Sequence, residues 1–103
     1  MLKIEGHDIY LTRKNDATLI IDFYRSGEIS ELDEDEQAFF TVRKQFDSDV
    51  IFQKKVVDNR IEISEKDSDL VAGTYVYDLT VLKNEQLTTI IPYHRFTIVD
   101  EVY

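Results

Sequence analysis

The stretch Gly73 to Leu82, GTYVYDLTVL, alternates so regularly that it leaves little choice of local structure. Counted in twos, Tyr75, Tyr77, Leu79 and Val81 fall on one face, and Thr74, Val76, Asp78 and Thr80 on the other. Successive side chains of a strand point to opposite faces, so this spacing predicts one long strand with a buried side. Gly73 supplies the backbone freedom needed to turn into it. The other segments read as shorter strands that pair with this one or face it across a core.

Taken in order, Met1 to Glu5 is an edge strand or an arm, and Gly6-His7-Asp8 is a turn. Ile9 and Leu11 alternate with Tyr10 and Thr12, and the strand they form ends in the polar turn Arg13 to Asp16. Ala17 to Tyr24 resumes the pattern with Ala17, Leu19, Ile21 and Phe23 on one face. Ile20 opposite them makes this strand apolar in its middle, which predicts a place near the centre of a sheet. After Arg25-Ser26-Gly27 comes an acidic connection, Glu28 to Glu36, anchored to the core by Ile29 and Leu32 alone.

Gln37 to Lys44 is a strand with Phe40 and Val42 inward, and Val50 to Val57 another with Ile51 and Phe52 as its core residues. Asp58-Asn59 makes a tight turn into Arg60 to Ile63, whose Ile61 and Ile63 face inward. Ser64-Glu65-Lys66-Asp67 is the one helix signal, a capped turn with acidic residues at the positive end of the helix dipole. Lys83-Asn84-Glu85 closes a hairpin into Gln86 to Ile91. Pro92 has no amide to donate, so a kink or an edge is expected there before a last strand, His94 to Val99. Short strands separated by turn signals at this spacing predict an all-β, antiparallel sandwich or barrel with one short helical turn.

A chain of 103 residues holds one domain, residues 1–103, with a modest core. A net charge of -9 opposes nucleic acid and anionic membrane surfaces, which both need clustered Lys and Arg. There is no cysteine, so thiolate chemistry and disulfides are excluded. The opening MLKIEGHDIY lacks the apolar core of a signal peptide, so export by the general secretory route is not expected.

Chemistry-bearing residues are sparse. In the acidic run, Asp33 and Asp35 are the candidate Ca²⁺ ligands, because hard cations take oxygen donors. No glycine follows at the position an EF-hand loop needs, and the plainer reading is a solvated loop. His7 and His94 are the only histidines; with Asp8 they hold the residue types of a metal site, but their spacing predicts none, and they read as turn or surface residues. Ser26, Ser30, Ser48, Ser64 and Ser68 lie in turns, loops or a cap, in no setting resembling a nucleophile elbow. No glycine-rich phosphate loop is present. A non-enzyme without cofactor is expected. Tyr75 and Tyr77 read as core residues with their hydroxyls at the rim, while Tyr10, Tyr24, Tyr93 and Tyr103 are candidate contact residues.

Four pieces, IYLTRKNDATLIIDF, SGEISELDEDEQAFFTVRK, IEISEKDSDLVAGTYVYDLTVL and TTIIPYHRFTIVDEV, cover nearly the whole chain in one order. In that order they resemble the immunoglobulin-like domain of tail and baseplate proteins of phages of Gram-positive bacteria, and are similar to the N-terminal module of the phage upper baseplate protein. The matching features are the FTVRK strand, Phe40 to Lys44, and the I-x-I strand, Ile61 to Ile63. The capped turn Ser64 to Leu70, the G-x-Y-x-Y-D strand Gly73 to Asp78 and the hairpin Thr89 to Ile98 complete the set. Members often carry Gly before the last strand, where this chain has Pro92-Tyr93-His94-Arg95. The resemblance implies an immunoglobulin-like β-sandwich without catalytic residues. It also implies a structural role in a virion or prophage tail, made in the bacterial cytoplasm, with other tail or baseplate subunits and further copies of the chain as partners. The alternative is a carbohydrate-binding or adhesin-like sandwich that contacts a host surface.

Overall fold

A computed structural model describes residues 2–100. Strands take up 63% of it and helix 4%, so the chain is all-β as its alternation predicts. The strands are β1 (Leu2–Glu5), β2 (Asp8–Thr12), β3 (Ala17–Ile20), β4 (Phe23–Arg25), β5 (Glu28–Ser30), β6 (Glu36–Arg43), β7 (Val50–Lys55), β8 (Arg60–Ile63), β9 (Gly73–Lys83) and β10 (Gln86–Val99), with the helical turn α1 (Glu65–Ser68) before β9.

Six strands form the large sheet, in the order β1-β2-β10-β9-β6-β7, with β9 flanked by its two longest partners. β3 and β8 form a second sheet, and β4 and β5 a small hairpin. Tyr75, Tyr77, Leu79 and Val81 from β9 are buried with Phe40 and Val42, Ile9 and Leu11, and Phe96 and Ile98; Leu19, Ile61 and Ile63 of the second sheet complete the same core. Pairing is antiparallel except between β2 and β10, which run parallel over Phe96 to Val99. That corrects the expectation of a wholly antiparallel arrangement. β2 is antiparallel to β1 through the Gly6-His7 turn, and its other edge meets the end of the chain rather than its sequence neighbour β3.

Other departures have local causes. Ala17 to Tyr24 is two strands, not one, and β3 pairs only with β8. Ile20 is therefore 73% exposed at a small sheet instead of lying within a large one. Ile29 is exposed because it stands opposite exposed Tyr24 on the outer face of the β4–β5 hairpin, whose other face buries Phe23, which leaves Leu32 as the anchor of the acidic connection. Ile51 is exposed at the register shift where β7 leaves β6, and Val56 takes the buried place beyond Phe52. Gln86 to Val99 is one continuous strand, with the expected kink appearing as register shifts between Thr89 and His94. Pro92 is accommodated there because β10 has only β9 beside it until Phe96, where β2 joins.

The turns follow their chemistry. Asp58-Asn59 and Asn84-Glu85 hold φ between 50 and 64°, the paired left-handed conformation of two-residue hairpin turns. Before α1, the Ser64 hydroxyl accepts from the Asp67 N–H at 3.1 Å, and the Asp67 carboxylate accepts from the Ser64 N–H at 2.9 Å, a complete capping box. Ser68, fully buried, donates to the Asn15 carbonyl at 2.6 Å and ties the turn to the β2–β3 loop. Ser64→Ala is expected to cost about 1 kcal/mol, read as a lower urea midpoint by circular dichroism. An unchanged midpoint would mean that Ser68 and core packing hold α1 without the cap.

Candidate functional site

The large sheet is longer than the sheet that covers it. Past Tyr77, the inward face of β9 and the first half of β10 extend beyond β3 and β8, and Leu79, Val81, Thr88 and Ile91 floor an open groove of about 900 Å³. Phe23, Tyr24 and Leu32 form one wall, and Ile90 and Lys83 stand at the rim. Tyr24 is 63% exposed and pairs across its hairpin with Ile29, itself exposed. Ile90 and Leu87 of β10 are exposed as well. A patch of apolar side chains around a shallow groove is costly to leave in water and is typical of a contact surface.

The candidate tyrosines lie apart. Tyr24 lines the groove. Tyr10 sits half-buried on the outward face of β2, with Lys3 Nζ 6.0 Å from its ring centre. Tyr93 stacks on Phe46, their ring centres 4.5 Å apart. Tyr103 lies outside the described residues. A sugar platform would need such rings along one groove, and only Tyr24 of the set is in this one.

Asp33 and Asp35 both face Lys83, whose Nζ lies 3.4 Å from Asp33 and 3.9 Å from Asp35. A lysine ammonium thus stands where a cation would bind, at the rim of the groove. Among the described residues, no group of three or more His, Asp or Glu side chains is placed to hold a metal ion.

His7 and His94 do meet, although 87 residues separate them: His7 Nδ1 and His94 Nε2 lie 3.2 Å apart. Asp8 is beside them, 3.9 Å from His94 Nδ1. The Tyr77 hydroxyl donates to the His7 carbonyl. Burial, with the Asp8 charge adding to it, pushes the Tyr77 phenol up to about 12, so it stays a donor at neutral pH.

A third cluster was not visible in the sequence. Asp78 lies in the outward phase of β9 yet is 7% exposed. Its neighbours on that face are Thr41 and Gln53, which hydrogen-bond each other, and Arg43, 3.7 Å away. The Tyr93 hydroxyl lies close enough to the carboxylate to favour its charged form. Asp78 Oδ1 remains without a hydrogen-bond partner. Burial pushes the Asp78 carboxyl above the ordinary range, and Arg43 and Tyr93 pull it only part of the way back. Asp67 goes the other way. Burial raises it, but Lys54 Nζ at 2.7 Å and the two bonds from Ser64 outweigh that and hold it below the usual carboxylate value. The signal for the Asp78 cluster would have been an acidic residue in mid-strand opposite an arginine, which composition alone does not separate from a surface pair.

No family model, no curated protein and no solved structure matches this chain.

Proposed function

We propose that this chain is a non-enzymatic, immunoglobulin-like module of a phage or prophage tail or baseplate, which works by docking neighbouring subunits. The observation that carries the docking role is the pair of exposed apolar side chains at the groove that the second sheet leaves open, Tyr24 and Ile90, with exposed Ile29 opposite Tyr24 on its hairpin.

Two features support the immunoglobulin-like reading. The order β10-β9-β6-β7 opposite β3-β8 matches the order of an immunoglobulin sandwich, in which Greek-key connections carry the chain between the facing sheets. Tyr75, near the start of β9, donates its hydroxyl to the Val71 carbonyl four residues upstream, at 2.6 Å. A tyrosine in that place with that bond is the tyrosine corner of such domains. The segments that resemble the phage family, FTVRK, I-x-I and G-x-Y-x-Y-D, are the strands that build this frame. Since one fold serves many functions, the tail assignment rests on the order of those segments together with the contact surface.

The test is co-expression with tail and baseplate subunits encoded beside this gene, followed by size-exclusion chromatography with light scattering. A complex of fixed stoichiometry is expected. Tyr24→Glu and Ile90→Glu should each weaken it at least tenfold while leaving the melting temperature of the free chain unchanged, because both side chains are already in water. A chain that stays monomeric beside every such subunit, or a complex indifferent to both variants, overturns the proposal. Specific binding on a glycan array would favour the adhesin-like alternative.

A further inference from the structure

We propose that His7 and His94 form a two-histidine site for a transition-metal ion of the Zn²⁺ type, with Asp8 as the residue that positions His94. The facing nitrogens, His7 Nδ1 and His94 Nε2, are 3.2 Å apart and the ring planes are inclined at 80°. Two imidazole nitrogens bound to one tetrahedral Zn²⁺ at about 2.0–2.1 Å each lie roughly 3.3–3.4 Å apart. The nitrogens already stand at nearly the separation of two ligands of one ion, and admitting it requires the rings to turn until both lone pairs converge on the ion instead of on each other.

The surroundings fix the pair. His7 occupies the two-residue turn between β1 and β2, and its carbonyl is held by the Tyr77 hydroxyl from the large sheet. His94 stands on β10, in register with Tyr77. Behind it, Asp8 Oδ1 accepts from the Arg95 N–H at 3.2 Å and lies 3.9 Å from His94 Nδ1. A carboxylate on the far nitrogen of a ligating imidazole keeps the hydrogen on that nitrogen and turns the lone pair of the other toward the metal. Asp8 stands on that side of His94 at 3.9 Å, and a closer approach on metal binding would bring it into hydrogen-bond reach of Nδ1.

Entry of the ion replaces the hydrogen bond between the rings. Both rings are neutral when they bind: His94 carries its hydrogen on Nδ1, and the hydrogen that His7 donates from Nδ1 in the free pair moves to Nε2 by exchange with water, so no net proton leaves the pair. Imidazole donors suit Zn²⁺, Cu²⁺ and Ni²⁺ rather than Ca²⁺ or Mg²⁺. Among the described residues no third side chain joins the pair, so water completes the coordination. The partly exposed rings give the ion access, and the chain's net charge of -9 draws cations toward it. The ion would pin the β1–β2 turn to β10 and close a loop that spans most of the chain.

With two histidines and no cysteine, the sequence makes the test clean, since no other imidazole or thiolate competes. Zinc is titrated into the whole chain by calorimetry, and the two histidine ring signals are followed by NMR. One zinc per chain is expected, with both ring signals moving together and saturating at the same ratio. His7→Ala and His94→Ala should each weaken binding at least tenfold, and Asp8→Asn about tenfold, the usual effect of removing such an orienting partner. The melting temperature should rise with zinc in the parent chain and not in H94A. Ring signals that stay still up to millimolar zinc, or binding that survives in either histidine variant, overturn the site. Unchanged affinity in D8N overturns the role given to Asp8.

Discussion

Phe40→Ala is expected to lower the stability of this domain by about 3–5 kcal/mol, the range for removing a buried aromatic ring from a core. Phe40 is 1% exposed and sits where the two sheets meet. Its ring centre is 5.0 Å from Tyr77, 6.1 Å from Phe96 and 6.3 Å from Phe52, so β7, β9 and β10 all pack on it. Alanine would remove the ring and leave a void lined by residues fixed in three hydrogen-bonded strands, which limits collapse. A domain of this size typically has about 5–15 kcal/mol to lose, so the variant keeps only part of its stability. The expected reading is a much lower urea midpoint with an unchanged slope. Phe46→Ala is the control: that ring is 65% exposed, stacks on Tyr93, and should change stability by about 0.5 kcal/mol or less. Equal losses from the two variants would contradict the placement of the core.

Phe40 was legible in the sequence because a strand with one buried face announces it through a period of two. The same holds for Tyr75, Tyr77, Leu79 and Val81, and for Ile61 and Ile63, all buried as the alternation requires. The turns were legible because Asn tolerates positive φ and Ser caps a helix, both of which are local facts.

Misread features depend on which strand lies beside which. Ile20 has the pattern of a strand inside a large sheet, but β3 has a single partner, and nothing in residues 17–24 encodes that. The parallel meeting of β2 and β10 joins opposite ends of the chain, as does the contact of His7 with His94. Asp33 and Asp35 were candidate metal ligands by residue type alone, beside the plainer reading of a solvated loop; the lysine they face lies some 50 residues on, at the end of β9. The groove follows from a difference in length between two sheets, which no single segment states. Candidate contact residues could be named from their type, but only the fold separates Tyr24 at the groove from Tyr93, which packs on Phe46.

Arg43→Ala tests the Asp78 cluster and should make the stability of the chain fall with rising pH more steeply than the parent's does. A fully buried ion pair that loses one partner costs about 3–5 kcal/mol; with Arg43 24% exposed and 3.7 Å from Asp78, about 1–3 kcal/mol is expected at neutral pH. The sign follows from Asp78, whose folded pKa lies above its ordinary value of 3.8. Below 3.8 the carboxyl is protonated in both folded and unfolded chains, and its burial carries no charge penalty. As pH rises from there through the folded pKa, the unfolded chain gives up its proton first and stability falls; above the folded pKa the penalty is complete. Removing Arg43 raises the folded pKa further, so the gap between variant and parent should be small in acid, widen through that window and level off above it. Asp78→Asn removes the charge and should be at least as stable as the parent at neutral pH, losing that advantage below 3.8. In the double variant the loss from Arg43→Ala should shrink to that of its packing alone, which is the coupling a double-mutant cycle measures. Urea midpoints of the four proteins at several pH values decide it. If R43A costs the same at every pH, or the same in the Asp78→Asn background, then the loss is of guanidinium packing on the sheet and not of a partner for a buried charge.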